Sequence, residues 1–162
     1  CCKREKPHKH GFYKRFCLDG HIIYRIFIRR YYCQKCRTTI SFLPDFCIPK
    51  FQYSLSVLER VLQLRFERKH FLKRCIEVLH YEFPQLDWLP QKISFYAKRF
   101  LDNLPRLELV LRSLFPQMRL GSDKEKRAKK VLVTVLSNAN GIQRPARLFY
   151  EQCHRSFLAS LC

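Results

Sequence analysis

Cys33-Gln34-Lys35-Cys36 lies between two strand-like runs, HIIYRIFIRRYY before it and RTTISFL after it. Two cysteines separated by two residues across a tight turn bring both sulfurs to one side of the loop, within reach of one tetrahedral Zn²⁺ at roughly 2.3 Å. A structural zinc takes four ligands, so a second pair is required. The chain opens with Cys1-Cys2, about thirty residues upstream, a separation suited to a two-knuckle zinc ribbon. Adjacent cysteines make a poor knuckle, because the two intervening residues form the turn that points both sulfurs inward. The chain also starts without Met. The expectation is an N-terminally truncated ribbon, in which Cys2 is the second member of a C-x-x-C. The ligands are then Cys2, Cys33 and Cys36, with the fourth place open to Cys1, His8 or His10. The plain alternative is a metal-free pair of thiols in a turn.

The chain has 162 residues and 47% hydrophobic side chains, enough for one domain or two small ones. Its net charge is +19, from 32 Lys and Arg against 13 Asp and Glu. Such an excess repels itself in a compact state, and an anionic partner relieves it. Nucleic acid is the partner this points to. Apolar runs are short and broken by Arg or Lys, well below the ~18 residues of a spanning helix, so no membrane partner is expected. Nine cysteines make an odd count, and Cys75 and Cys153 sit singly in helical patterns as small hydrophobes. Knuckle thiols plus isolated core thiols point to a reducing cytoplasm, with nucleoid association following from DNA binding.

The pattern predicts an α+β chain: a small antiparallel ribbon over residues 1–47, a helical, helix-turn-helix-like domain over 48–115, and a basic helical extension over 116–162. Strands are expected at 11–16, 21–32 and 38–43, with Asp19-Gly20 turning the first hairpin. On the second strand Ile22, Tyr24, Ile26 and Ile28 share one face, and Ile23, Arg25, Phe27 and Arg29 the other. Ser54 is placed to cap a helix to about residue 68. Further helices follow at 71–82, stopped by Pro84, at 91–103, and at 106–115, opened by Pro105. Ser122 is expected to cap a helix through residue 136, although VLVTVL also suits a strand. Pro145 begins the last helix, which is expected to run to the C-terminus.

Helices at 71–82 and 91–103, joined by PQLDWLP, have the dimensions of a helix-turn-helix with a long turn. Ile93, Tyr96, Ala97 and Phe100 should face the core. Gln91, Lys92, Ser94, Phe95, Lys98 and Arg99 should face outward, as types suited to phosphates and base edges. Around the knuckle, Arg25, Arg29, Arg30, Lys35 and Arg37 join Tyr31 and Tyr32, a mixture that neutralises phosphates and stacks on exposed bases. Lys126, Arg127, Lys129 and Lys130 are either a solvated charge run or a clamp on the phosphate backbone. The six histidines show no metal-type pairing among themselves. Asp19, Asp45, Asp87, Asp102 and Asp123 are scattered, and four glycines form no phosphate loop. No catalytic site is expected.

HGFYKRF, RIFIRRYYCQKC, RTTISFLPDF and KFQYSLSVLERVL together resemble the zinc-ribbon heads of bacterial insertion-sequence (transposase-associated) proteins. They resemble more closely small bacterial proteins that join such a ribbon to a helix-turn-helix. In that group a C-x-x-C stands about eight residues before the His-Gly pair, and Cys2 stands eight residues before His10. The resemblance spans about residues 2–115. It departs in the missing first cysteine and in Arg37, where a glycine is frequent. It implies transposon-associated binding of double-stranded DNA with a structural zinc, without a transposase's catalytic carboxylates. RNA binding, a protein-interaction adaptor docking on a transposase or another partner, and a fragment of a transposase whose catalytic domain lies elsewhere are the competing functions.

Overall fold

The structure is a computed structural model that describes residues 6–68, 70–119, 121–137, 141–153 and 156–159. Cys1 and Cys2 therefore lie outside the described residues, as does His154; residues 156–159 are described as a turn, so the last helix does not run on to the C-terminus as expected. The architecture is α+β: a three-stranded antiparallel sheet followed by helices. Strand β1 is His8–Asp19, β2 is Ile22–Cys33 and β3 is Thr38–Ser41, in spatial order β1-β2-β3.

Strand β1 runs past its expected 11–16 at both ends, because β2 pairs with it from His8 to Asp19, while β2 keeps its expected length, shifted by one residue. Asp19 pairs with Ile22, which makes Gly20 and His21 the two turn residues. Gly20 takes φ 56°, as the favoured two-residue turns require. A bulge at His10 shifts the register between Lys9 and Gly11, and Gly11 there adopts φ 100°.

The sheet does not lie flat on the helices. The β1–β2 tip is tied to the chain entering the helical part: the Leu18 N–H donates to the Gln52 carbonyl (2.8 Å), and the Ser54 N–H to the Leu18 carbonyl (2.9 Å). Gln85 donates to the Gly20 carbonyl from the far side. One sheet face covers the loop before the first helix. There Cys17, Ile28, Cys47 and Ile48 are buried, and Arg15 donates to the carbonyls of Ile48 (2.7 Å) and Phe51. Along β2 only Ile28 of the face shared by Ile22, Tyr24, Ile26 and Ile28 is fully buried, while Ile22 and Tyr24 stay exposed. The opposite face is open to solvent.

Helix α1 (Leu55–Leu62) buries Leu55, Val57, Leu58, Val61 and Leu62 and runs on as a π-helical turn, Gln63–Glu67. Ser54 caps it as expected, its Oγ accepting from the Val57 N–H at 3.3 Å. Helix α2 is Leu72–Glu82. The two helices expected at 91–103 and 106–115 are one helix, α3 (Pro90–Leu114), with Pro105 inside it. An internal proline removes a hydrogen bond and costs about 3 kcal/mol. Here burial on both sides of it offsets that: Phe100, Leu104, Leu107, Val110 and Leu111 are all in the core. The Asn103 amide also ties this part of α3 to the C-terminal segment, donating to the carbonyls of Arg99 (2.9 Å) and Ala159 (2.8 Å).

Helix α4 is Lys124–Leu136. Its cap is Asp123 and not Ser122, with Asp123 Oδ1 accepting from the Lys126 N–H at 2.6 Å. VLVTVL is helical because Val131, Leu132 and Val135, with Ala128, form one buried stripe at helical spacing. Helix α5, Gln143–Cys153, holds Pro145 within its first turn, where the missing N–H is harmless. No helix among the described residues is long and apolar enough to cross a membrane.

Candidate nucleic-acid interface

The first turns of α3 carry two opposite faces. Ile93, Tyr96, Ala97 and Phe100 are buried, as their spacing predicts. Tyr96 packs on Tyr53 and Phe51, and Tyr53 stacks on Trp88 with ring centroids 5.2 Å apart. Gln91, Ser94, Phe95 and Lys98 are exposed on the other side. Two residues expected beside them are already engaged. Lys92 Nζ donates to the Asp87 carbonyl (2.7 Å) and to its carboxylate (3.2 Å), closing the turn before α3. The Arg99 guanidinium lies 5.0 Å from the Phe95 ring centroid, a cation–π contact that holds that ring in place.

The turn from α2 to α3 is long because it is part of the core: Leu86 and Trp88 are buried and Phe83 packs against them. Arg60 braces α2 against α1, its Nε donating to Glu82 Oε2 at 2.8 Å.

At the other end of the sheet, Cys33 closes β2 and Cys36 ends the turn, the first buried and the second half-buried. Lys35 and Arg37 project from this turn, while Arg30, Tyr31 and Tyr32 are half-buried. Arg37 adopts φ 53°, the left-handed region that favours glycine. His8 pairs with Tyr32, so the chain enters the sheet at the same end as Cys33 and Cys36. The His10 ring lies 5.4 Å from that of Tyr32. Two cysteines on one turn are donors of the type that a tetrahedral thiolate site uses. Among the described residues no group of three or more His, Cys, Asp or Glu converges as a metal site.

Cys17 and Cys47 form a second thiol pair, on the covered face of the sheet, hydrogen-bonded to each other and buried. Burial pushes the Cys17 thiol up to about 12 and raises that of Cys47 as well. These thiols are packed, protonated and chemically quiet.

The open sheet face contains residues the sequence did not single out. Phe12 lies opposite Arg29, Lys14 opposite Phe27, and Phe16 opposite Arg25. Phe42 joins the first row through its N–H to the Arg29 carbonyl at 3.1 Å. The available signal was the alternation Phe12, Lys14, Phe16 on β1, which repeats the Arg25, Phe27, Arg29 alternation of β2 one step out of phase.

On α4, Lys126, Lys129 and Lys130 are exposed. Arg127 is turned the other way, onto Glu108 of α3.

A family model described as a domain of unknown function (DUF6431) matches residues 1–77. That stretch carries the sheet, α1 and the first half of α2. No curated protein matches the chain, and neither does any solved structure.

Proposed function

We propose that this protein binds double-stranded DNA, with the exposed side of the first turns of α3 in the major groove and the basic ribbon on the flanking backbone. The observation that carries this is the side chain set Gln91, Ser94, Phe95 and Lys98, displayed together on a helix whose reverse side is fixed in the core. Glutamine reads adenine, lysine reads guanine or phosphate, and an aromatic ring packs on a thymine methyl. The net charge of +19 supplies affinity through counterion release, and Arg25, Arg29, Lys35 and Arg37 are exposed to contribute to it.

A structural zinc held by Cys33 and Cys36, with Cys2 and either Cys1 or a histidine completing the set, is part of the same proposal. It would lock the knuckle and lower thiol reactivity there. The function is one of binding, in the transposon-associated setting that the ribbon sequence implies, with a cytoplasmic place at the nucleoid.

Fluorescence anisotropy with a random 30-base-pair duplex, repeated over a salt series, tests this. Affinity is expected to fall steeply as salt rises. Lys98→Glu with Gln91→Ala should weaken binding about tenfold or more, while Arg112→Glu at the far end of α3 should do much less. Equal losses from both would overturn α3 as the reading element. Binding to RNA alone, or to no nucleic acid, would overturn the proposal.

A further inference from the structure

The open face of the sheet is an ordered checkerboard. Its first row across the strands is Phe12, Arg29, Phe42, its second Lys14 and Phe27, its third Phe16 and Arg25. Each aromatic ring has a basic side chain directly across from it. The four rings are 60% (Phe12), 54% (Phe16), 59% (Phe27) and 63% (Phe42) exposed, and Lys14, Arg25 and Arg29 are exposed between them. Among the described residues these three cations form no ion pair. Phe12 and Phe27 meet edge to face at 5.6 Å, Tyr31 and Phe42 at 5.3 Å, and Lys14 Nζ lies 6.0 Å from the Phe27 centroid. These contacts tie Phe12, Phe27 and Phe42 to their neighbours while each stays more than half exposed.

An exposed phenylalanine face must be covered by something to gain from its apolar area. A purely apolar cover, such as a helix or a second copy of this sheet, would bury Lys14, Arg25 and Arg29 without counter-charges, at several kcal/mol per ion. A duplex offers phosphates but no base faces, because its bases are stacked inside. An unpaired strand offers both, since its bases stack on rings while its phosphates meet the cations. Same-face residues along a β-strand repeat every ~6.7 Å, so rings and charges alternate in two directions, as a flexible sugar–phosphate chain with splayed bases requires.

We propose that the face formed by Phe12, Lys14, Phe16, Arg25, Phe27, Arg29 and Phe42 binds an unpaired stretch of nucleic acid by base stacking, beside the duplex held at α3. This rests on nucleic acid being the partner, and it adds a second site of different chemistry. The preference is for single strands with little sequence discrimination, because every base has a π-face.

The test uses the full chain and fluorescein-labelled 16-nucleotide single strands of mixed sequence, one DNA and one RNA, alongside the 30-base-pair duplex. Phe12→Ala with Phe27→Ala is expected to weaken single-strand binding by about 10–100-fold and duplex binding by less than about twofold. Phe12→Leu with Phe27→Leu should lose nearly as much, because stacking needs a ring, whereas an apolar protein partner would accept leucine. Lys98→Glu should reverse the pattern, with duplex binding weakened and single-strand binding kept. Circular dichroism should show every variant folded, since the changed side chains are exposed.

Single-strand affinity unaffected by the alanine pair overturns the inference, as does duplex binding with no single-strand binding. So does sedimentation showing a dimer that the alanine pair dissolves while single-strand binding persists. Failure of the wild type to bind any nucleic acid overturns the proposed function itself, which separates the two. The DNA and RNA arms identify which single strand is preferred, and tight binding to either upholds the stacking face.

Discussion

Arg127 of α4 reaches across to Glu108 of α3, its Nε donating to Glu108 Oε1 at 2.8 Å and its second nitrogen bonding the other carboxylate oxygen. Glu108 is 4% exposed, so this contact is what allows a carboxylate to sit in that core. It also removes Arg127 from the basic run that α4 shows to solvent.

Arg127→Met should therefore lower the thermal midpoint, on the order of 5 °C, because it leaves Glu108 buried without a partner. Replacing Lys126, Lys129 and Lys130 together by Gln should leave the midpoint nearly unchanged. If α4 clamps the phosphate backbone, the lysine triple should make the salt slope of duplex binding shallower by about two units. Differential scanning fluorimetry and the anisotropy salt series read the two effects separately.

Ser54 links the ribbon to the first helix. Its buried Oγ caps α1 and donates to Asp19 Oδ1 at 2.6 Å, and Ser56 donates to the same oxygen at 2.6 Å. Ser54→Ala should cost about 1–2 kcal/mol in urea denaturation. Asp19→Ala should cost a comparable amount, and the double variant less than the two single losses added together, because they share one network.

Glu59 accepts the Ile142 N–H at 3.1 Å. Burial raises its carboxyl above the usual range, and that N–H opposes the rise without cancelling it. A folded-state value above the unfolded one means stability is greatest below the unfolded value and is lost as pH rises through the folded value. Glu59→Gln keeps an acceptor for Ile142 and removes the buried charge. It should thus be more stable than wild type at pH 7, with the advantage fading as pH falls toward about 4. Thermal midpoints across that range check the sign, and an advantage that grows in acid would contradict it.

Cys17 and Cys47 should remain unreactive toward a thiol reagent at pH 8 until the protein unfolds, whereas Cys36 should react in the native state. Added zinc should protect Cys36, and a chelator should restore its reactivity and lower the thermal midpoint. Cys33→Ser should abolish the protection. Arg37→Gly should stabilise the turn by up to about 1 kcal/mol, since the left-handed conformation costs arginine and not glycine. Mass spectrometry of labelled peptides distinguishes the thiols.

The three strands, the Ser54 cap, the α2 boundary and the buried face at Ile93, Tyr96, Ala97 and Phe100 were all legible in the sequence. Each rests on local periodicity or on one residue's own chemistry, which neighbours in the chain suffice to specify. Pro105 misled because a local rule says that proline opens a helix. Packing of Phe100, Leu104, Leu107 and Leu111 across it carried α3 through instead, and that energy is invisible to a local window. VLVTVL was ambiguous for the same reason, and burial of Ala128, Val131, Leu132 and Val135 along one stripe made it a helix. The turn that carries Cys33 and Cys36 was plain from spacing alone. Of the ring-and-charge face, the Arg25, Phe27 and Arg29 side of β2 was legible, whereas Phe12, Lys14, Phe16 and Phe42 were not, because a strand's alternation does not tell which neighbouring side chains join it on the uncovered side. Only the sheet's attachment by its hairpin tip and by Arg15 and Cys17 decided that Phe12, Phe16, Phe27 and Phe42 would stay in solvent.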